Sequence, residues 1–322
     1  MKPIFSRRPN PPAPKVEDIP LNPAASGPIP RKVDTVELAK PQTLEAVLHD
    51  LPPTPAVMPR LMTLLAEPES TTEDVIELVT LDPGLAAAIL RVSRSAYYGG
   101  RGHSVESLDD AIMAIGFKEV YRLVALYSLS STAREPLELY GFSAERFWQK
   151  SVACALAMEM LCGEMGAPGT TGYTIGLLHA LGEVFVDRMA RQGATAERQL
   201  IAFDNPAPIP EQERTAAGFT QAQAAAWAMR HWFFPEAIIE PIEYQFAPHE
   251  APVHTQMALR LRLGKWLTHL VLGDEAAARA VNPDFHFAIT MPGNSFARMV
   301  DDLRRRLAEA TQSLHGTACC TD

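Results

Sequence analysis

The run LRVSRSAYY places two arginines and a tyrosine where one helix face can present them together. Arg94 follows Arg91 by three residues and Tyr98 follows Arg94 by four, which is the spacing of neighbours on a helix surface. A guanidinium beside an aromatic ring recognises planar anionic ligands or acidic surfaces of partner proteins. The alternative is that the tyrosine packs between helices while the arginines extend into water.

Side chains that ligate metals or act as nucleophiles are scattered along the chain. His249 and His254 lie on either side of Pro252, in a loop rather than on one helix face. The glycine-rich run at 99–103 can cradle a phosphate, but without a strand before it and a helix after it we interpret it as a turn. No P-loop, dinucleotide-binding glycine motif or nucleophile elbow is present. The sequence therefore predicts no catalytic residue, no cofactor and no metal site.

Helical patterns dominate the chain from about residue 43, and no segment alternates as a β-strand does. Thr71 and Ser107 precede acidic first turns as N-caps, and Asp82 precedes a proline at the first helical position. One helix is predicted to contain the whole run TIGLLHALGEVFVDRMA. Further helices are predicted over about 117–130, 143–164, 212–231, 235–246, 253–273 and 293–314. The fold class is all-α.

Proline content separates the N-terminal segment from the rest of the chain. Nine of the first 30 residues are proline, which lacks a backbone N–H and disfavours helix for the residue before it. Residues 1–42 are therefore predicted to form a disordered tail. We expect a helical domain over 43–273, in two parts at 43–140 and 141–273. A C-terminal helical extension and tail follow over 274–322.

Charge and hydropathy argue against several classes of protein. The 322 residues carry a formal net charge of −9, which disfavours nucleic-acid binding through neutralised phosphates. No apolar stretch reaches the length of about 18 residues that indicates a membrane-spanning helix, and the N-terminus lacks the apolar core of a signal peptide. The four cysteines form no CxxC pair, which is typical of free thiols in a reducing compartment. The sequence predicts a cytoplasmic protein that binds neither nucleic acid nor membrane.

Several runs of the sequence, taken in order along the chain, resemble the HDOD domain, a family related to the HD phosphohydrolases. They are LPPTPAVMPRLMTLL (51–65), LVTLDPGLAAAILRVSRSAYYGG (78–100), VESLDDAIMAIGFKEVYRLV (105–124), FWQKSVACALAMEML and TIGLLHALGEVFV. The resemblance covers roughly residues 44–250. It implies an all-α, HD-like fold in two helical parts, of a kind found in bacterial signal-transduction proteins.

The resemblance also implies which positions would hold metal in an active HD enzyme. The His-Asp pair of those enzymes corresponds here to His179-Ala180, and alanine has no lone pair to offer. The other ligand positions correspond to Lys150, Gln221, the run Tyr244-Gln245-Phe246, and Lys265. A metal centre needs several neutral histidines and ionised carboxylates converging on the ion. The resemblance thus implies a pseudoenzyme.

Three of these positions are candidate binding residues as well. His179 is either a residual ligand-binding residue or a hydrogen-bonded structural histidine. Lys150 and Lys265 either replace the charge of the metal, holding an anion or a buried carboxylate, or are two solvated lysines on helix faces.

The predicted function is a non-catalytic regulatory domain in signal transduction, which works through contacts with other signalling proteins and can also respond to a small nucleotide-like ligand. The alternatives are a remnant metal-dependent phosphohydrolase acting on a nucleotide or cyclic dinucleotide, and a purely structural scaffold. The sequence leaves the partner, the input signal and the oligomeric state open.

Overall fold

The all-α fold class is confirmed by a computed structural model, which describes residues 60–61, 64, 71–93, 107–132, 135–192, 210–281 and 293–318. No β-strand forms within these ranges, where strand-type pairing is limited to one isolated bridge between Leu137 and Phe142. The predicted disordered tail at 1–42 lies outside the described residues.

The helices are numbered here in chain order. They are α1 (Thr72–Thr80), α2 (Pro83–Ser93), α3 (Leu108–Ile115), α4 (Phe117–Thr132), α5 (Ala144–Glu164), α6 (Gly169–Leu178), α7 (Leu181–Gln192), α8 (Pro210–Ala217), α9 (Gln221–His231), α10 (Glu236–Glu243), α11 (Thr255–Val271), α12 (Glu275–Val281) and α13 (Gly293–Ala318). A single turn of 3₁₀-helix at Pro248–Glu250 precedes α11.

Local hydrogen bonds cap the starts of α1, α2 and α3, as the sequence predicts. Thr71 and Ser107 each form a capping box with the aspartate three residues later, which satisfies two backbone N–H groups at the helix start. The carboxylate of Asp82 accepts from the backbone N–H of Leu85 at the start of α2. Gly116 ends α3 with a φ of 81°, a conformation that costs glycine little.

Two helices that the sequence predicts as continuous are each divided. The run TIGLLHALGEVFVDRMA breaks at His179-Ala180 into α6 and α7, and the predicted helix over 212–231 breaks into α8 and α9. Gly218 has a φ of 86° at the end of α8, and Thr220 caps α9 with a third capping box. Helix α12 was not predicted.

Helices α1–α4 form the first helical part, and α5–α11 form the second around the buried helix α5, which packs on α6 and α11. The two parts meet where α4 lies against α6. There the hydroxyl of Tyr121 hydrogen-bonds that of Thr174, and Arg122 pairs with the buried carboxylate of Glu159 on α5. The guanidinium of Arg122 also lies 5.3 Å from the ring centroid of Tyr173.

The C-terminal helix α13 packs on α5 and α11. It buries Met299, Leu303 and Leu307, which recur every four residues and therefore share one face. On the same side, Nη1 of Arg306 lies 3.9 Å from the carboxylate of Glu159. Among the helices that the structure describes, none has an apolar stretch long enough to cross a membrane.

Candidate functional site

The break between α6 and α7 puts His179 at the centre of the second helical part. Its Nδ1 lies 2.6 Å from the carbonyl oxygen of Gly176, and because a carbonyl can only accept, Nδ1 carries the proton and donates it. In a continuous helix that carbonyl would accept from the N–H of Ala180, so the imidazole competes with the next helical hydrogen bond. Burial, and then the charges of Lys150 and Lys265, hold the pKa of His179 well below its ordinary value.

A close backbone contact fixes the direction of α7 after the break. An added Cβ on Gly182 would lie 1.8 Å from the carbonyl oxygen of Gln221, so no larger residue fits without movement of the backbone. This contact places α7 directly against the start of α9. Glu183, the next residue, consequently lies in the interior and is only 1% exposed.

Lys150 on α5 is 6% exposed, which contradicts its interpretation as a solvated lysine. Its ammonium donates to both carboxylate oxygens of Glu183, at 2.6 and 2.7 Å. It also lies 4.8 Å from the ring centroid of Phe142. The solvated interpretation was wrong because the partner, 33 residues away, is brought to Lys150 by the turn at His179-Ala180.

Lys265 on α11 is 8% exposed, so its interpretation as a solvated lysine is wrong as well. Its Nζ donates to Oε1 of Gln245 at 2.7 Å, and it lies 4.4 Å from the ring centroid of Phe246. The amide of Gln245 in turn donates to the backbone carbonyl of His179 at 3.0 Å. Burial, and then repulsion by Lys150, lowers the pKa of Lys265 to about 8.

The structure therefore brings His179, Lys150 and Lys265 together in one buried cluster. We call these three residues, with Glu183 and Gln245, the lysine centre. Whether these residues bind a ligand stays a prediction. The second group of candidates is not tested. Arg91 lies near the end of α2, but its side chain is outside the described part of the chain, as are Arg94 and Tyr98.

Glu213 is a neighbour of the lysine centre that the sequence did not reveal. Its carboxylate is buried and accepts from the hydroxyl of Tyr140 at 3.0 Å and from the backbone N–H of Gln221 at 2.9 Å. Burial is the largest cause that raises its pKa, to about 7, and the charge of Glu183 contributes. One signal was available, since Glu213 precedes a glycine and a capping box and so lies one turn before a helix boundary.

His269 follows Lys265 by one helical turn and is buried. Burial, followed by the charges of Lys150 and Lys265, lowers its pKa to about 3, so the ring is neutral at physiological pH. Its Nδ1 lies 3.8 Å from Asp274, but with a neutral ring that approach is not an ion pair. Two neutral imidazoles, those of His179 and His269, thus lie close to the two ammonium groups of the lysine centre.

These residues do not fit a catalytic metal. An ammonium has no lone pair, and those of Lys150 and Lys265, at positions where the resemblance implies metal ligands, already donate to protein acceptors. His179 donates through Nδ1, so only its Nε2 could ligate, and a single imidazole nitrogen is too few ligands for a catalytic metal. Across the described residues there is no cluster of three or more His, Cys, Asp or Glu side chains placed to hold a metal ion. The hydrogen bonds of the lysine centre join α5 to α7, and join α11 to the turns that follow α6 and α10, so the lysine centre fixes these helices relative to one another.

Comparisons with known proteins agree with the sequence resemblance. A sequence model of the HDOD domain matches residues 51–248. A candidate signal transduction protein from Marinobacter aquaeolei VT8 has a structure that matches with a TM-score of 0.60 at 25% identity, over 88% of this chain and 62% of that protein. An uncharacterized protein of Treponema pallidum (strain Nichols) is 22% identical over 231 residues, which are 70% of this chain and 43% of that protein. The chain thus spans less than two thirds of the length of either relative.

Two further structures share the fold. A candidate phosphohydrolase from Shewanella amazonensis SB2B matches with a TM-score of 0.55 at 20% identity, over 84% of this chain and 94% of that protein. An HDOD domain protein of unknown function from Geobacter sulfurreducens matches with a TM-score of 0.51 at 18% identity, over 73% and 80%. The family match covers more than half of the chain. The chain belongs to the HDOD domain family.

Proposed function

We propose that this chain is a non-catalytic regulatory domain in signal transduction, acting through contacts with other proteins. The lysine centre carries the proposal. In an HD phosphohydrolase a metal lowers the pKa of bound water and stabilises charge on the phosphoryl group. Here two buried ammonium groups lie at positions where the family resemblance implies ligands, and both are engaged by protein acceptors.

Further support comes from the relatives. The Marinobacter protein, at 25% identity, is a candidate signal transduction protein, which agrees with a regulatory role. We expect the partners to be other signalling proteins, and we expect binding to neither nucleic acid nor membrane. A cytoplasmic location remains a prediction. It is compatible with the free, buried thiols of Cys154 and Cys162.

Metal content and hydrolysis together test the non-catalytic role. The purified full-length chain is analysed for Fe, Mn and Zn, and its hydrolysis of bis(p-nitrophenyl) phosphate and of cyclic dinucleotides is measured with each metal added. We expect metal well below one equivalent and hydrolysis no faster than in buffer. Stoichiometric metal, with hydrolysis that is lost in His179→Ala and kept in His249→Ala, would establish a remnant phosphohydrolase instead. His249 is the matched control because its side chain is exposed.

A thermal-shift screen tests whether the domain also responds to a small ligand. A ligand that binds the folded state raises the melting temperature by mass action, by an amount that grows with concentration above Kd. Nucleotides and cyclic dinucleotides are the compounds to screen. A saturable shift that is lost in Lys265→Met would assign the ligand to the lysine centre, and a shift unchanged in that variant would place it elsewhere.

A further inference from the structure

Phe233 combines two unfavourable features at one position. Its side chain is 88% exposed, and its φ of 61° lies in the left-handed region. Among the residues that the structure describes, it is the only non-glycine residue with a positive φ. An exposed aromatic ring and a left-handed backbone each cost free energy, and a glycine at this position would avoid both.

The backbone around Phe233 shows why the left-handed conformation persists. The N–H of Phe233 donates to the carbonyl of Arg230, and the N–H of Phe234 donates to that of Met229. These two bonds form the Schellman motif that ends α9, in which the position of Phe233 is usually glycine. Phe234 and Met229 are both buried, so the motif is anchored in the core. The exposed ring of Phe233 is consequently held in place rather than free to fold inward.

Other aromatic groups lie beside it. The rings of Trp227 and His231 stack along α9, with centroids 5.7 Å apart and an interplanar angle of 6°. Phe233 follows His231 by two residues, so their Cα atoms are within roughly 7 Å. Trp227 is half-buried and His231 is exposed. We call Trp227, His231 and Phe233 the α9 aromatic patch.

The rim of the α9 aromatic patch is acidic. Arg230 pairs with Glu236 at 3.0 Å and with Glu243 at 2.5 Å, so two carboxylates face one guanidinium. Helix α10 carries no lysine or arginine, and its third glutamate, Glu240, is buried and accepts from the backbone N–H groups of Val253 and His254. The excess negative charge at the rim is therefore that of Glu236 and Glu243 over Arg230. A surface that combines exposed aromatic rings with excess carboxylates suits a ligand that is rich in proline and carries basic residues.

The first 15 residues of this chain have that chemistry. They contain five prolines and four basic residues with no acidic one, while the whole chain carries −9, so the other 307 residues carry −13. Arg8, Pro11 and Pro14 are spaced three residues apart. In a polyproline II helix, which has three residues per turn, residues with this spacing share one edge.

The length of chain between the two regions permits the contact. Between Lys15 and Arg60 lie 44 residues, which span up to roughly 150 Å when extended. A domain of this size is on the order of 50 Å across. We propose that residues 1–15 bind the α9 aromatic patch of the same chain, with the prolines against the rings and Arg7 and Arg8 toward Glu236 and Glu243. This contact goes beyond the proposed regulatory function and does not depend on it.

Photochemical cross-linking in the full-length chain tests the contact. A benzophenone analogue of phenylalanine replaces Phe233, and the cross-linked peptides are identified after illumination. We expect products that join position 233 to residues 1–15 within a single chain. The matched control carries the analogue at Met113, which is 77% exposed on α3, and should give several-fold less of these products. High salt and the pair Arg7→Glu and Arg8→Glu should each reduce the yield several-fold.

Products that join position 233 to other segments, or that join two chains, would overturn the proposal, as would yields equal to the Met113 control. Hydrogen exchange gives a second measurement on the natural Phe233. Backbone amides over 230–236 should exchange faster in the Arg7→Glu/Arg8→Glu chain than in the wild type, while those of α5 stay unchanged. Equal exchange over 230–236 in the two chains would contradict the contact.

Discussion

Replacing Lys150 by methionine tests whether its ammonium stabilises the lysine centre. The substitution keeps the length of the side chain close to that of lysine and removes the charge. Glu183, 1% exposed, then loses the donor that holds both of its oxygens. Breaking a buried ion pair by removing one partner costs about 3–5 kcal/mol, because a charge remains buried and uncompensated. For a domain of this size that corresponds to a fall of roughly 6–20 °C in the melting temperature.

The double variant separates the ion pair from the packing. When Lys150→Met is combined with Glu183→Met, no unpaired charge remains, and buried pairs replaced by apolar residues are often near neutral in stability. The free energy of unfolding should therefore return to within about 1–2 kcal/mol of the wild type. The measurement is urea unfolding at pH 7, followed by far-UV circular dichroism, for the wild type, both single variants and the double variant.

Lys265→Met is the matched control. Lys265 is as buried as Lys150, but its partner Gln245 is neutral. Its pKa of about 8 against 10.5 means that the buried ammonium costs about 3 kcal/mol at pH 7, which the substitution removes. An amide oxygen left without its donor costs about 1–3 kcal/mol in return, so little net change is expected. Equal losses for the two lysine variants, or additive losses in the Lys150/Glu183 cycle, would refute the assigned pairing.

Three further predictions follow from the same structure. Burial raises the pKa of Glu213 to about 7 in the folded state, against an ordinary 4.5, so the free energy of unfolding should fall by about 3 kcal/mol as the pH rises from about 4.5 to 7. In Glu213→Gln this part of the pH dependence of urea unfolding should disappear, and an unchanged profile would show that Glu213 is not its source. Gly182→Ala should destabilise the chain by about 1–3 kcal/mol or more, because the added Cβ would overlap the carbonyl of Gln221. In the control Gly163→Ala the added Cβ meets nothing within 4 Å and should be neutral or stabilising, so similar melting temperatures for the two variants would contradict the close contact. Leu303→Ala should lower the free energy of unfolding by about 2–5 kcal/mol and speed amide exchange along α13, because Leu303 anchors this helix, which lies beyond the family match, in the core. Exchange along α13 as slow as in the wild type would show that Leu303 does not anchor it.

Features that depend on neighbours in sequence could be predicted. The capping boxes of Thr71 and Ser107 join residues three apart, so their geometry is set by the local sequence. The division between α8 and α9 had the same kind of signal, because Gly218, Thr220 and Gln223 are a helix-ending glycine and a capping box. That boundary was missed although the local rules were sufficient to find it.

The lysine centre depends on contacts between distant residues, which no local pattern specifies. The family resemblance selected Lys150 and Lys265, but their burial depends on Glu183 and Gln245, which lie 33 and 20 residues away from them in sequence. The direction of α7 after the break at His179-Ala180 likewise depends on the approach of Gly182 to Gln221 on another helix. A lysine on a predicted helix is most often exposed. The expectation of two solvated lysines followed from the local sequence, and it was wrong because the local sequence does not show these partners.

The charges of the lysine centre also bear on whether one substitution could restore metal binding. Lys150 is balanced by Glu183, but Lys265 has a neutral partner. Burial, and then the charges of the two ammonium groups, lower the pKa of both His179 and His269. A divalent cation held among these residues would be repelled by both ammonium groups, and burial weakens the screening of that repulsion by solvent. Removing Lys150 alone leaves the repulsion from Lys265, and removing Lys265 alone leaves Glu183 bound to Lys150. A chain that regains metal binding should therefore need both lysines replaced by ligands, and stoichiometric metal after either single replacement would contradict this account of the charge.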